Sequence, residues 1–241
     1  MLEELDQLQT WIDESRRVVF FGGAGVSTES GIPDFRSVDG LYNQKYKYPP
    51  ETIISRSFFD ADPAEFYRFY RDKMLWPDAR PNAAHLKLAE LERAGKLAAV
   101  VTQNIDGLHQ AAGSREVLEL HGSVHRNFCM KCRAFYGLED IVKSAGVPKC
   151  PKCGGTIKPD VVLYEEALDQ DVMYRAVDYI RKADMLIIGG TSLVVYPAAG
   201  LVNYYGGDRL VVVNKSPTPV DMQADLVLAG AIGELFSQIK A

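Results

Sequence analysis

Several features are scarce in this chain of 241 residues. No apolar run approaches the ~18 residues that a membrane-spanning helix requires. The opening stretch, MLEELDQLQTWIDESRR, is acidic and amphipathic. It lacks the basic start and apolar core of a secretory signal, so a cytoplasmic location is expected. Positive charge is short as well: the formal net charge is −5, which argues against a general nucleic-acid binder. There are only four cysteines and four histidines. Internal repeats and low-complexity tracts are absent.

The few cysteines are concentrated. Cys129-x-x-Cys132, seventeen residues, then Cys150-x-x-Cys153 places all four in one window. Four thiolates at this spacing suit a closed tetrahedral structural zinc site, which leaves no open position for catalysis. Two disulfides are the competing reading, and the lack of a secretion signal counts against them. The same window is basic. Between Arg126 and Lys158 there are seven basic residues against two acidic, about +5, which leaves about −10 elsewhere.

Hydrophobic content of 47% supports a sizeable core. Apolar runs at 16–21, 97–102, 183–190 and 209–214 read as buried strands, with shorter candidates at 117–120 and 224–229. Helical patterns fall between them at 2–15, 63–75, 81–94, 169–182, 197–204 and 231–240. The alternation predicts an α/β fold, a Rossmann-like parallel sheet with helices on both faces. The cysteine window shows little periodicity of its own. The expected organisation is therefore one discontinuous domain, 1–122 with 161–241, and a small zinc-binding insert at 123–160. Residues 31–60 form a long irregular connection, the usual signature of a lid or binding loop.

The first strand ends in Gly22-Gly23-Ala24-Gly25. Glycines after a strand allow a backbone to approach a phosphate closely, and Ser27, Thr28 and Ser30 add hydroxyl donors at the start of a following helix. A dehydrogenase fingerprint would place a third glycine at position 28, where Thr28 stands. No acidic ribose partner follows at the end of a second strand. Two more polar turns, GGTS at 189–192 and VNKS at 213–216, lie on the same predicted sheet edge and favour a dinucleotide. The segment TQNIDGLH gathers Gln103, Asn104 and Asp106 at a strand end, whereas a simple helix cap needs only one such residue. His121 closes another strand on that edge. An unperturbed pKa near 6.5 makes it the best candidate for a general base.

Taken in order, GAGVSTESGIPDFR, TQNID, HG, two CxxC pairs, GTSLVVYPAA and VN resemble the sirtuins, deacylases that consume NAD, and most of all their bacterial and archaeal deacetylases. The resemblance runs from about residue 16 to 240. It implies that Ala24, Thr28, Phe35 and Arg36 contact NAD from the first loop. Gln103, Asn104, Ile105 and Asp106 would surround nicotinamide and its ribose, with Asn104 counted as catalytic. Thr191, Ser192, Asn214 and Lys215 would face the adenosine half, with a backbone contact near Ile232. His121 would be the base, and the four cysteines the ligands of one structural zinc. The acetyl-lysine peptide would add as a strand between VVLYEE and SLVVYP, with Val161, Val162, Leu163 and Val194 on the substrate side. The implied products are nicotinamide, free lysine and O-acetyl-ADP-ribose. No membrane and no direct nucleic-acid partner is implied.

Two local features depart from or refine that pattern. Glu165 stands where the family carries glycine, and it could favour basic residues flanking the substrate lysine. Family members preferring succinyl or malonyl groups use a Tyr-x-x-Arg pair. Here Tyr67 is followed by Tyr70, and Arg71 comes one residue late, about 100° around a helix. An uncharged acyl group, most simply acetyl, is therefore expected. Alternatives that share parts of the pattern are ADP-ribosyl transfer to protein, a zinc-ribbon nucleic-acid module, and an NAD(P) oxidoreductase.

Overall fold

The computed structural model describes residues 2–35, 40–41 and 46–241. Its main element is a six-stranded parallel sheet in the order β3-β2-β1-β7-β8-β9. The strands are β1 (Val18–Gly22), β2 (Leu97–Thr102), β3 (Val117–Glu119), β7 (Met185–Gly189), β8 (Leu210–Asn214) and β9 (Leu226–Ala229). Every residue of the two central strands, β1 and β7, is buried. Continuous apolar runs are what a sheet covered on both faces requires.

Successive side chains point to opposite faces. Val18 and Phe20 enter one core with α1 (Leu2–Glu14), α5 (Ala83–Arg93) and α9 (Ile232–Phe236). Val19 and Phe21 enter the other with α8 (Gln170–Arg181) and a 3-10 segment, Ala198–Tyr204. That last segment was expected as part of an α-helix at 197–204. The helix expected at 231–240 is confined to Ile232–Phe236.

Strand order reverses between β1 and β7. The chain moves outward through β2 and β3, then restarts on the other side of β1 with β7, β8 and β9. A crevice opens at such a switch point beyond the carboxyl ends of the strands. Gly22 is in register with Gly189 on one side and with Thr102 on the other. The loops after three strands therefore leave the sheet side by side.

The cysteine window is more ordered than its periodicity suggested. It holds an antiparallel sheet of β4 (Gly122–Cys129), β5 (Phe135–Tyr136) and β6 (Ile157–Val161), with α7 (Leu138–Lys143). The strands are short, and cysteine positions interrupt their alternation, so no periodic signal survives. Two segments from the long connection, α2 (Pro50–Ile53) and α3 (Arg56–Ala61), precede α4 (Pro63–Lys73). Phe59, Phe66 and Tyr67 share one apolar cluster with Val124, Ile141 and Ile157. The small sheet thus buries its apolar face under helices from the amino-terminal half. A remaining short helix, α6 (Leu108–Ala112), follows β2.

Candidate active site

A cleft of about 1250 Å³ lies between the two sheets. That exceeds the ~300–1,000 Å³ typical of a site for one small ligand. Ala24, Thr28 and Phe35 line it from the loop after β1. Gln103, Asn104, Ile105 and Asp106 line it from the loop after β2, and His121 from the turn between β3 and β4. Thr191, Ser192, Asn214, Lys215 and Ile232 complete the opposite end. Val161, Val162 and Leu163 line the side formed by β6. Val194 does not line the cleft; its neighbours Val195 and Tyr196 do. Arg36 lies outside the described residues.

The glycine turn works differently from the expectation. A Cβ at Gly23 would come within 2.8 Å of the Thr191 Cβ, and one at Gly25 within 2.8 Å of the Gly190 carbonyl oxygen. The Gly25 amide donates to that same carbonyl at 2.8 Å. Here glycine is demanded by packing against the loop after β7, in addition to any approach by a ligand. No α-helix follows directly. Two 3-10 turns, Ala24–Val26 and Thr28–Ser30, occupy that place, and Thr28 Oγ1 donates to the Gly25 carbonyl at 3.0 Å.

Hydrogen bonds join the loops into one unit. Asn104 Nδ2 donates to Ser27 Oγ at 3.0 Å, and Ser27 Oγ donates to Asp106 Oδ2 at 2.7 Å. Asp106 Oδ1 accepts from the Leu108 amide at 2.9 Å, so this carboxylate also steadies the start of α6. Gln103 Nε2 donates to Thr191 Oγ1 at 3.0 Å. Asn214 Nδ2 donates to the Thr191 carbonyl at 3.2 Å. Polar groups from β1, β2, β7 and β8 thereby hold one another in place, which is the preorganisation a reactive site needs.

His121 Nδ1 lies 3.0 Å from the Gln103 carbonyl oxygen. A carbonyl only accepts, so the proton sits on Nδ1 and the Nε2 lone pair is left as a base. Burial pushes the His121 pKa below the usual imidazole value, opposed by the hydrogen bond to Gln103. The neutral, proton-accepting form is thus favoured at neutral pH.

Two supporting residues escaped the sequence reading. Asn82, at the start of α5, donates through Nδ2 to the Val26 carbonyl at 2.8 Å and to Ser30 Oγ at 3.0 Å. Glu29 Oε2 accepts from the Gly233 amide at 2.7 Å. Asn82 reads in sequence only as a helix cap, and nothing local signals its reach to the first loop.

Behind the cleft, the rings of His85 and His109 meet at a centroid distance of 4.7 Å. Both are buried. His85 Nδ1 accepts from the Asn82 amide at 3.3 Å. Burial pushes His85 down to about 4, against the pull of Asp106 and Glu29, and pushes His109 well below its ordinary value. An unfolded chain would protonate these rings from pH ~6.5 downward while the folded chain does not. Stability is then expected to be unaffected above pH 6.5 and to fall progressively toward pH 4, with His85 alone costing about 2 kcal/mol at pH 5. Urea unfolding at pH 7.5 and pH 5 checks this, and a His85→Gln variant should lose part of the dependence.

The four cysteine sulfurs lie within 4.8 Å of one another. Cys129 and Cys153 are separated by 3.4 Å, and Cys132 and Cys150 by 3.6 Å. A tetrahedron with ~2.3 Å metal–sulfur bonds has edges of about 3.8 Å, so the set fits zinc. The Lys131 and Cys132 amides donate to Cys129 Sγ at 3.4 and 3.5 Å. A Cβ at Gly155 would come within 2.8 Å of Cys129 Sγ, so only glycine fits against the sulfurs. The Tyr136 hydroxyl lies 3.0 Å from Cys150 Sγ. Such outer contacts orient the ligands.

Comparison with known proteins gives a consistent result. The model of the Sir2 family matches residues 23–197. The NAD-dependent protein deacetylase of Clostridium perfringens is 58% identical over 242 residues, covering 99% of this chain and 99% of its own. That of Staphylococcus aureus strain N315 is 45% identical over 230 residues, covering 95% and 94%. A Sir2 structure with a deacetylated p53 peptide and 3'-O-acetyl-ADP-ribose superposes with a TM-score of 0.89 at 42% identity, covering 96% of this chain and 95% of that one. A Sir2 structure with a p53 peptide and NAD+ gives 0.85 at 41%, covering 96% and 95%.

Proposed function

The chain belongs to the Sir2 family, and we propose that it is an NAD-dependent protein-lysine deacetylase whose chemistry takes place in the cleft at the switch point. The observation that carries this reading is His121. Its Nδ1–H is held by Gln103, in a cleft shared with Gln103, Asn104, Asp106 and Thr191. NAD is consumed as a co-substrate, yielding nicotinamide and O-acetyl-ADP-ribose.

The roles proposed here are those that the family resemblance implies, and they are supported by where these residues line the cleft. Ala24, Thr28 and Phe35 face NAD from one side; Arg36, outside the described residues, keeps the NAD contact that the resemblance implies. Thr191, Ser192, Asn214, Lys215 and Ile232 hold its adenosine half. Gln103, Ile105 and Asp106 surround the nicotinamide end. Asn104, fixed through Ser27, acts at the sugar. Phe35 shields the sugar face from water once nicotinamide has left. The acyl oxygen of the modified lysine attacks the anomeric carbon as nicotinamide leaves. His121 Nε2 then takes a proton from a ribose hydroxyl, which attacks the acyl carbon. The acyl-lysine enters past Val161, Val162 and Leu163, with the strand around Val194 on the other side. Cys129, Cys132, Cys150 and Cys153 bind structural zinc, which keeps the small domain folded.

We assign 1–122 with 161–241 to the NAD-binding domain and 123–160 to the zinc-binding one. The cytoplasm is the proposed location; no helix among the described residues is long and apolar enough to cross a membrane. Three of the seven basic residues in the window have acidic partners, which lowers the charge it offers to a nucleic acid. Arg126 pairs with Glu119 and Asp160, Lys143 with Glu139, and Lys158 with Glu166.

The acyl preference has structural support. Tyr67 is buried and donates its hydroxyl to the Ile157 carbonyl. Arg71 is spent on the zinc-binding part, donating to the Ile141 carbonyl at 3.0 Å, and to Ser144 Oγ and the Gly146 carbonyl at 2.7 Å each. Neither is available to an acyl carboxylate. Hydrolysis of an acetyl-lysine peptide should require NAD and exceed that of its succinyl counterpart by at least about ten-fold in kcat/KM, the scale of one missing charge-assisted hydrogen bond. Turnover without NAD, or label from NAD retained on protein, would overturn the deacetylase reading.

A further inference from the structure

Three non-glycine residues among those described have positive φ: Arg133, Glu165 and Leu193. Two of them flank the cleft. Leu193, with φ 52°, stands beside Thr191 and donates its amide to Thr191 Oγ1 at 3.2 Å. Glu165, with φ 75°, belongs to the loop after β6. L residues adopt this conformation rarely, and it persists only where surrounding contacts impose it.

Those contacts are present for Glu165. Its Oε2 accepts from the Ser57 amide at 2.9 Å, and its Oε1 accepts from Ser57 Oγ at 2.9 Å. The backbone joins the same two segments: the Tyr164 amide donates to the Ile54 carbonyl at 3.0 Å, and the Arg56 amide to the Tyr164 carbonyl at 2.9 Å. Glu166 secures the loop from beneath. Its Oε2 accepts from the Leu163 amide at 2.9 Å and Lys158 Nζ at 3.0 Å, and its Oε1 from Arg56 Nη1 at 3.1 Å. Next along the chain, the Val162 amide donates to the His121 carbonyl at 3.0 Å. One short segment thus connects His121 with residues 54–57.

We infer that Glu165 is a positioning residue: its carboxylate clamps the substrate-side loop 162–166 to residues 54–57, setting the edge along which the acyl peptide lies. The inference rests on the deacetylase reading. It also changes the expectation for Glu165. The carboxylate is engaged by Ser57, so its chief effect is on the affinity for any acyl peptide, rather than on a preference for basic flanks. Glycine would adopt the backbone conformation without strain, but it would supply no clamp.

The test uses the full chain and its Glu165→Gly, Glu165→Gln, Ser57→Ala and Ser57→Ala/Glu165→Gly variants. Steady-state kinetics vary acetyl-lysine peptide and NAD separately, on peptides with basic and neutral flanks. Glu165→Gly should raise the peptide KM about five-fold, as expected for a lost charge-assisted contact on an exposed segment. The NAD KM should stay within about two-fold, and Glu165→Gln should lie between Glu165→Gly and the parent, because an amide oxygen replaces only one acceptor. The double variant should be no worse than Glu165→Gly alone, since the two groups act as one unit. Hydrogen exchange gives a readout independent of turnover: the amides of Arg56, Ser57 and Tyr164 should exchange faster in Glu165→Gly, while those of Leu186–Ile188 should not change. An unchanged peptide KM, equal rises in both KM values, multiplicative effects in the double variant, an effect on basic-flanked peptides alone, or unchanged exchange would each overturn the clamp. Failure of the parent to deacetylate would overturn the deacetylase reading instead, with the exchange result still deciding the contact.

Discussion

Replacing His121 with alanine is expected to lower kcat/KM for an acetyl-lysine peptide by about 10²–10⁴-fold, the usual worth of a positioned general base. The argument starts from one contact. Nδ1–H is held by the Gln103 carbonyl at 3.0 Å, so Nε2 is the only ring atom able to accept a proton. Alanine removes that atom and leaves the Asn104–Ser27–Asp106 chain and the Gln103–Thr191 contact standing. NAD affinity, read by calorimetry, should therefore fall far less than turnover. The pH profile adds a second check. Burial lowers the His121 pKa, and the base works only when neutral. The acidic limb of kcat/KM should thus fall below the ordinary imidazole value of ~6.5, with activity lost only under more acidic conditions. Full activity in the variant, or an acidic limb above that value, would refute the assignment.

Removal of zinc should also be damaging, although the proposed chemistry assigns the metal no catalytic step. The four sulfurs tie the end of β4 to the segment that leads into β6, and both strands run from there toward the site. Gly122, the first residue of β4, follows His121, and β6 ends at Val161 beside the Val162 amide that bonds the His121 carbonyl. Structural zinc contributes on the order of 10 kcal/mol to folding in small metal domains. With Cys150→Ser, one ligand is lost beside the Tyr136 hydroxyl. We expect loss of the bound metal, a lower melting temperature, and activity reduced by more than about ten-fold, a scale typical of losing support around a metal site. Elemental analysis should find one zinc per chain in the parent. A metal-free protein with parental melting and turnover would reject the structural role.

Much of this site could be read along the chain. The buried strands gave themselves away as apolar runs, the metal ligands as two CxxC pairs, and the polar turns as residues that no simple cap requires. Each is a short-range signal, carried by spacing within some twenty residues. The sequence also located His121 correctly at a strand end, because strand and turn are both local.

Other features depend on which distant segments meet, and local spacing does not encode that. The zinc sheet was missed because its strands are short and interrupted. Helices α3 and α4 cover it from far up the chain. The reason for glycine at positions 23 and 25 is the loop after β7, more than 160 residues away. Tyr67 and Arg71 looked like near-matches to an acyl-binding pair, and packing assigned them to the zinc-binding part.

The sequence by itself determined the alternating α/β architecture, the four-cysteine set that fits zinc, and His121 as the candidate base. These rest on periodicity and on side-chain chemistry, both of which are properties of the unfolded chain. Tertiary structure alone decided the sheet order that reverses between β1 and β7 and so opens the cleft. It also decided the proton position on His121 and the left-handed backbone of Glu165 held by Ser57. Each of these is the outcome of competing long-range contacts, settled only when burial and hydrogen bonding are satisfied across the whole fold at once.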